Sequence, residues 1–346
     1  MEQENEPTLE SAEANTQAPE ALAETPVALD ARRSLTRLVR KRLKKFVALA
    51  PQVRAGGNPK IIHDARVWSR RLQQAIDALF PKPRSAKVRR LRRTPRRIRR
   101  ALGEWRNCDV LLELVARQHR LTRSEAKRQA WTIVRDYLLR KRAKEVARAG
   151  KRLLREDLGD YAARAEKVLR QPSDESPDIL MQRVGASVQA AWIAWQSALA
   201  RAQETRAVSD LHAFRIAAKV LRYRTELLFE VGAKPLKAQL KSLADLQNAI
   251  GVWHDRQVFH RAVAEALARA EVLLNEMPAV RLLLAELAKD RRRQADEVEK
   301  IFRLALEHAR NHQMASSSET HATPTLSAVT EAVHDKPRMI DQEVTL

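Results

Sequence analysis

One cysteine, Cys108, stands in 346 residues. No intramolecular disulfide can form, and no multi-cysteine zinc or iron–sulfur site can be assembled. Glycine is scarce as well, with eight residues against an average usage of about 7%. Neither G-x-x-x-x-G-K nor G-x-G-x-x-G occurs, so nucleotide folds built on glycine-rich phosphate loops are excluded. No run of about 18 apolar residues exists, and the first residues carry neither a basic n-region nor an apolar h-region. The chain therefore reads as soluble, non-secreted and cytoplasmic, with no membrane insertion. Aromatics make up 4% of it, which leaves few platforms for base stacking. H-E-x-x-H and G-x-S-x-G are absent, and the basic blocks hold no clustered carboxylates that would ligate divalent metals for phosphoryl transfer.

Positive charge is what the sequence has in excess. Lys and Arg number 65 against 43 Asp and Glu, a formal net charge of +22. Such an imbalance points to a polyanionic partner: nucleic acid, an anionic membrane or a phosphate polymer. The charge is unevenly placed. Residues 1–30 contain seven Glu, Asp30 and no base, while residues 32–109 contain 25 Lys and Arg and four acids, a net of +21. The composition predicts an acidic disordered tail over 1–30 and a second disordered tail, rich in Ser and Thr, over 311–346.

Between the tails the residues are good helix formers, and apolar positions recur every three or four residues. An all-α fold is expected, with helices near 31–49, 61–80, 85–102, 107–119, 122–149, 151–170, 179–205, 209–231, 235–250, 254–273 and 278–310. Pro95 should interrupt or kink the third of these. The segment Gln171-Pro172-Ser173-Asp174-Glu175-Ser176-Pro177 reads as a linker between a first helical repeat, 31–171, and a second, 172–310.

The repeat has direct sequence support. The pattern H-x-x-R-[VI]-x-x-[RK]-x-L occurs as His63, Arg66, Val67, Arg70 and Leu72, and again 149 residues later as His212, Arg215, Ile216, Lys219 and Leu221. Ala101-Leu102-Gly103-Glu104-Trp105-Arg106-Asn107 matches Ala249-Ile250-Gly251-Val252-Trp253-His254-Asp255 at an offset of 148. Two blocks in the same order argue for duplication of a helical unit.

On a helix, His63, Arg66 and Arg70 share one face, opposite Ala65, Leu72, Ile76 and Leu79. His212, Arg215, Lys219 and Arg222 form a similar ridge with Tyr223 beside them. Arg89, Arg92, Arg93, Arg96, Arg99 and Arg100 fall within one arc opposite Leu91, Ile98, Leu102 and Trp105. Packed beside the first ridge, they would line a cationic groove suited to phosphate, because each guanidinium is a permanently charged bidentate donor. His63 and His212 suit anion contact, simple packing or metal ligation. Metal is disfavoured, since no acid accompanies both copies at ligand spacing and His308/His312 lack a third ligand. Asp109 and Asp255 read as helix caps or as orienters of neighbouring bases, and Cys108 as a packing thiol.

These residues carry a family resemblance. His63, Arg66, Arg70, Arg71 and Gly103-x-x-Arg106-x-x-Asp109 in the first half are similar to the CHAD family, the conserved histidine α-helical domain. In the second half the similarity lies in His212, Arg215, Lys219, Arg222, Tyr223, Glu226 and Gly251-x-x-His254-Asp255. Asn107, Gln73 and Gln74 depart from the family pattern. The resemblance implies two tandem four-helix-bundle-like repeats with long helices and a basic central cavity or surface that binds inorganic polyphosphate, and association with polyphosphate granules. It adds Arg71, Arg106 and His254 to the expected polyphosphate-binding set, beside Arg89, Arg93, Arg96 and Arg100. The expectation is a non-catalytic binder needing no cofactor and no metal. The alternatives are a basic helical protein that binds nucleic acid, and a phosphohydrolase or phosphotransferase with His63 or His212 as phospho-acceptor.

Overall fold

The computed structural model describes residues 26–56, 58–81, 85–170, 177–232 and 237–320. Among them every regular element is a helix: α1 (Pro26–Ala48), α2 (Ala50–Arg54), α3 (Pro59–Leu79), α4 (Ala86–Ala101), α5 (Gly103–Leu121), α6 (Glu125–Leu153), α7 (Leu158–Leu169), α8 (Pro177–Thr205), α9 (Val208–Glu230), α10 (Lys237–Leu267), α11 (Ala270–Asn275) and α12 (Met277–Thr320). Local chemistry sets many of the starts. Asn58, Ser85, Ser124 and Asp157 each accept a hydrogen bond from a backbone N–H in the first turn that follows, the groups a helix cannot satisfy internally.

The apolar faces form three cores. The first gathers α1 to α4 with α7, and Leu180, Leu227 and Val231 from α8 and the end of α9 join it. The second joins α5 and α6 to the C-terminal half of α10, α11 and the start of α12. The third lies among α8, α9, the N-terminal half of α10 and Ile301, Phe302 and Ala305 of α12. Apolar packing thus crosses the boundary placed at 171–172 in both directions. The proposed linker, 171–177, lies outside the described residues except Pro177, which opens α8, and of the proposed tails 1–25 and 321–346 lie outside them while 26–30 belong to α1.

Three sequence expectations need adjustment. The helices predicted over 235–250 and 254–273 join across 250–254 into α10, which ends at Leu267, and the last residues of the second fall in α11. In α10, Gly251 would meet nothing within 4 Å if it carried a Cβ, so it does not mark a close approach there. In the matching stretch of the first half the chain does break, at Leu102 between α4 and α5. Asp109 is not a cap, because it sits within α5 and its buried carboxylate accepts from Arg142 Nε at 2.7 Å. Finally, α12 continues past Asn311 to Thr320, into the stretch assigned to the C-terminal tail.

Pro95 lies inside α4 without interrupting it. Proline has no N–H, so the carbonyl of Leu91 loses its i+4 donor. The Tyr161 hydroxyl of α7 replaces it, donating to Leu91 O at 3.1 Å in a buried setting. Tyr161→Phe should cost about 1–3 kcal/mol in urea denaturation, the penalty of a buried carbonyl left without a partner. In a Pro95→Ala background, which restores an intrahelical donor, the same substitution should cost less than half as much. Equal costs in the two backgrounds would show that the hydroxyl does not serve this carbonyl.

Candidate functional site

The α3 ridge behaves as its periodicity predicts, with Ala65, Leu72, Ile76 and Leu79 buried in the first core. That packing turns Arg66 and Arg70 toward α9, whose Phe214, Ala218 and Leu221 face the third core and aim Arg215 and Lys219 back at α3. A cleft of about 490 Å³ opens there, walled by α3, α4, α8 and α9. Arg70, Arg99, His212, Arg215, Lys219 and Tyr223 line it, along with Gln73, Asp77, Arg183 and Arg224.

The cations in this cleft are crowded and partly dehydrated. Arg70 donates to the Tyr223 hydroxyl at 3.1 Å and lies 5.4 Å from the ring centroid. Arg222 approaches the same ring at 5.9 Å. Arg99 donates to Gln73 Oε1 at 2.7 Å, while its buried Nη1 has no partner. Burial first, then Arg70 and Arg66, lower the Arg99 pKa to about 10. Burial first, then Arg70 and Arg106, lower that of Arg66 to about 10. Lys219 is the most affected: burial, followed by Arg215 and Arg70, brings its ammonium down to about 7. Among the described residues Lys219 has no hydrogen bond or ion pair, and buried Arg215 Nε has no partner. Burial also lowers Arg215, with Asp255 opposing.

Of the carboxylates nearby, Asp77 and Glu226 are paired with arginines outside the Arg70, Arg215 and Lys219 group, and only Asp255 acts as a counter-charge on Arg215 and Lys219. Asp77 pairs with Arg92 at 2.5 Å, Glu226 pairs with Arg71 at 2.8 Å, and Asp255 lies 3.3 Å from His254 Nδ1. Few counter-charges therefore face Arg70, Arg215 and Lys219. An arrangement of this kind stabilises a bound anion at the expense of the empty state, since fixed cations repel one another until an anion enters.

Not every predicted residue reaches the cleft. His254 stands beside it, its ring 5.8 Å from that of His212. His212 is depressed by burial and then by His254. His63 stands at the solvent-facing end of the ridge, where partial desolvation of its ring and then Arg106 depress it. Arg66 is partly spent on structure, because its Nη1 donates at 2.8 Å to the carbonyl of Arg99 in the last turn of α4. A Cβ at Gly103 would stand 3.4 Å from that nitrogen, an ordinary contact, so the position does not demand glycine. Arg71 and Arg222 turn to Glu226 and Gln247. Arg89, Arg93, Arg96 and Arg100 are exposed along α4 and do not line the cleft. The arginine arc of α4 therefore splits, with Arg92 and Arg99 turned toward α3. Asp109 and Arg106 belong to helix α5 and not to a turn.

The sequence reading puts Arg99 in the cationic groove with the rest of its arc but leaves it out of the expected phosphate-binding set, and it omits Arg183 altogether. Arg183 donates to Ala78 O at 2.7 Å and Arg224 to Ser187 O at 2.6 Å, bridging α3, α8 and α9. Arg183 lies outside both repeated blocks, so no sequence signal marks it. Arg99 could be inferred from its i+7 relation to Arg92. Gln73, a departure from the family pattern, is the acceptor that orients Arg99. Cys108 is buried and its thiol is raised to about 11, chiefly by burial, which suits packing. Among the described residues no group of three or more His, Cys, Asp or Glu is placed to hold a metal ion, and no helix is long and apolar enough to cross a membrane.

Comparison with known proteins places this geometry in context. The family model for the CHAD domain matches residues 37–264. The crystal structure of the CHAD domain from the plant Ricinus communis aligns with a TM-score of 0.55 at 21% identity, covering 84% of this chain and 96% of that one. PptA from Streptomyces chartreusis aligns with a TM-score of 0.56 at 16% identity, covering 80% and 99%. At these identities the likeness is one of fold. No curated protein sequence matches.

Lys219 gives this cleft a pH signature. Its folded value is about 7 and its ordinary value 10.5. Between the two, the unfolded chain holds a proton that the folded chain lacks, so stability rises with pH across that window and the penalty is complete below it. Lys219→Met should flatten this slope in pH-dependent thermal unfolding. It should also stabilise the anion-free protein at pH 6.5 by on the order of 2 kcal/mol after allowance for solvent screening. An unchanged slope or a destabilised variant would contradict the like-charge crowding.

Proposed function

The chain belongs to the CHAD domain family, and on that premise we propose that it binds inorganic polyphosphate without transforming it, through the cleft between α3 and α9. One observation carries the reading: Arg70, Arg215 and Lys219 face one cleft, partly buried, with Asp77 and Glu226 paired to other arginines and only Asp255 left to oppose their charge. A linear phosphate chain answers each part of this arrangement. It supplies closely spaced anionic oxygens to guanidinium forks, and its bound counterions are released as the protein cations replace them. Binding to such a polymer would place the protein on polyphosphate granules.

Nucleic acid offers the same charge but asks for more. Single strands gain affinity from stacking on aromatic faces. The one aromatic lining this cleft, Tyr223, already has Arg70 and Arg222 near its ring. Non-catalytic binding is favoured over phosphoryl transfer because Asp77 and Asp255, the nearby carboxylates, are engaged by Arg92 and His254. The two histidines of the repeat also stand at the margin of the cation cluster.

The test is retention on immobilised long-chain polyphosphate across a salt gradient. Arg70→Ala, Arg215→Ala and Lys219→Ala should each weaken binding about tenfold at low salt, as expected for loss of one charged hydrogen-bonding group. The triple variant should elute at markedly lower salt with unchanged helicity by circular dichroism. Retention equal to that of the parent protein would overturn the site. Release of orthophosphate would overturn the non-catalytic reading, and equal displacement by RNA at matched phosphate would overturn the preference for polyphosphate.

A further inference from the structure

The arginines of α4 that miss the α3–α9 cleft meet others elsewhere. Arg97 and Arg100, on the last turns of α4, face Arg152 in the last turn of α6 and Arg155 in the turn after it. Together they line a separate cleft of about 460 Å³ whose floor is Ile98, Ala101 and Leu153. Glu156 is the one carboxylate in the lining. It is held by Arg97 at 3.3 Å and by the Thr94 hydroxyl at 3.3 Å. Among the described residues Arg100, Arg152 and Arg155 have no side-chain hydrogen bond or ion pair. Elsewhere on this surface Arg40, Arg128, Arg148 and Arg201 each hold a carboxylate, while others such as Arg90, Arg93 and Arg96 hold none among the described residues.

Basic residues commonly collect at helix C-termini to offset the macrodipole, and both α4 and α6 end here. Each end is equivalent to roughly half a negative charge, so two ends and Glu156 amount to roughly two negative charges. Four guanidinium groups exceed that by about two. Arg97 also sits a turn before the end of α4, and Arg155 lies beyond α6, so neither position is the usual one for dipole compensation. The excess is left facing an open, aliphatic-floored cleft.

We propose that this outer cleft is a second anion site that takes a segment of inorganic phosphate chain, separate from the α3–α9 cleft and divided from it by α4. The inference rests on the polyphosphate reading for its ligand class. Among the described residues no aromatic side chain lines the outer cleft, which favours a bare phosphate chain over RNA. With Arg99 facing one cleft and Arg97 and Arg100 the other, one molecule holds two segments of polymer at once. It gains avidity on a long chain and cross-links separate chains.

Isothermal titration of the full chain with tripolyphosphate tests this, because the ion is too short to occupy both clefts. The parent protein should take two equivalents. Arg100→Gln/Arg152→Gln/Arg155→Gln, which keeps side-chain stems over the aliphatic floor, should take one. Arg215→Ala/Lys219→Ala should also take one, the other. Long-chain polyphosphate should turn solutions of the parent turbid through cross-linking, and the triple Gln variant should bind it without turbidity. One equivalent on the parent, lost only in the Arg215/Lys219 variant, would overturn the second site while leaving the α3–α9 reading intact. No binding to the parent at all would overturn both. Loss of both equivalents in the triple Gln variant, with its melting temperature unchanged, would show a single continuous site. Tighter displacement from the outer cleft by a short RNA at equal phosphate would overturn the bare phosphate chain as its ligand.

Discussion

Like-charge crowding between α3 and α9 is the constraint around which the rest of this structure is arranged. Arg70, Arg215 and Lys219 are brought together by packing on the far sides of their own helices. Apolar burial provides the driving force, at about 25 cal/mol per Å² removed from water. The cost appears in the depressed basicities of Arg66, Arg99 and above all Lys219. A fold whose stability alone mattered would place carboxylates among these groups. Here Glu226 and Asp77 are drawn off to Arg71 and Arg92, Asp255 alone opposes Arg215 and Lys219, and the cleft stays cationic.

The supporting contacts serve the same end. Arg66 and Arg183 spend donors on backbone carbonyls of α4 and α3, and Arg224 on one of α8. These bonds tie the walls together with side chains that are themselves positive. Gln73 and Tyr223 orient Arg99 and Arg70 without neutralising them. The scarcity of glycine acquires a structural meaning in this setting. In the reading proposed here phosphates are held by side chains projecting from rigid helix faces, not by glycine-rich loops.

Much of this was legible in the sequence because helical periodicity fixes which residues share a face. His63, Arg66 and Arg70 opposite Ala65, Leu72 and Ile76 follow from 100° per residue alone, and the 149-residue offset pairs α3 with α9. What could not be read was which of two adjacent walls an arginine joins. Arg92, Arg96, Arg99 and Arg100 lie within one arc, yet Asp77 and Gln73 on α3 draw in only Arg92 and Arg99. Arg183 was invisible because its role depends on how α8 packs, which no local pattern encodes. The cap reading of Asp109 failed for a related reason. A polar run at a helix start and one inside a helix look alike until Arg142 of α6 supplies the partner for Asp109.

The central claim is that the cleft stores unfavourable charge that a polyanion relieves, and proton uptake on binding measures this most directly. Calorimetric titration with long-chain polyphosphate at pH 8, repeated in buffers of different ionisation enthalpy, gives the number of protons taken up. Lys219, near 7 in the empty cleft, should regain its proton as phosphate enters, so the account predicts uptake of about one proton per cleft filled, absent in Lys219→Met. Binding of equal strength with no proton uptake would contradict it.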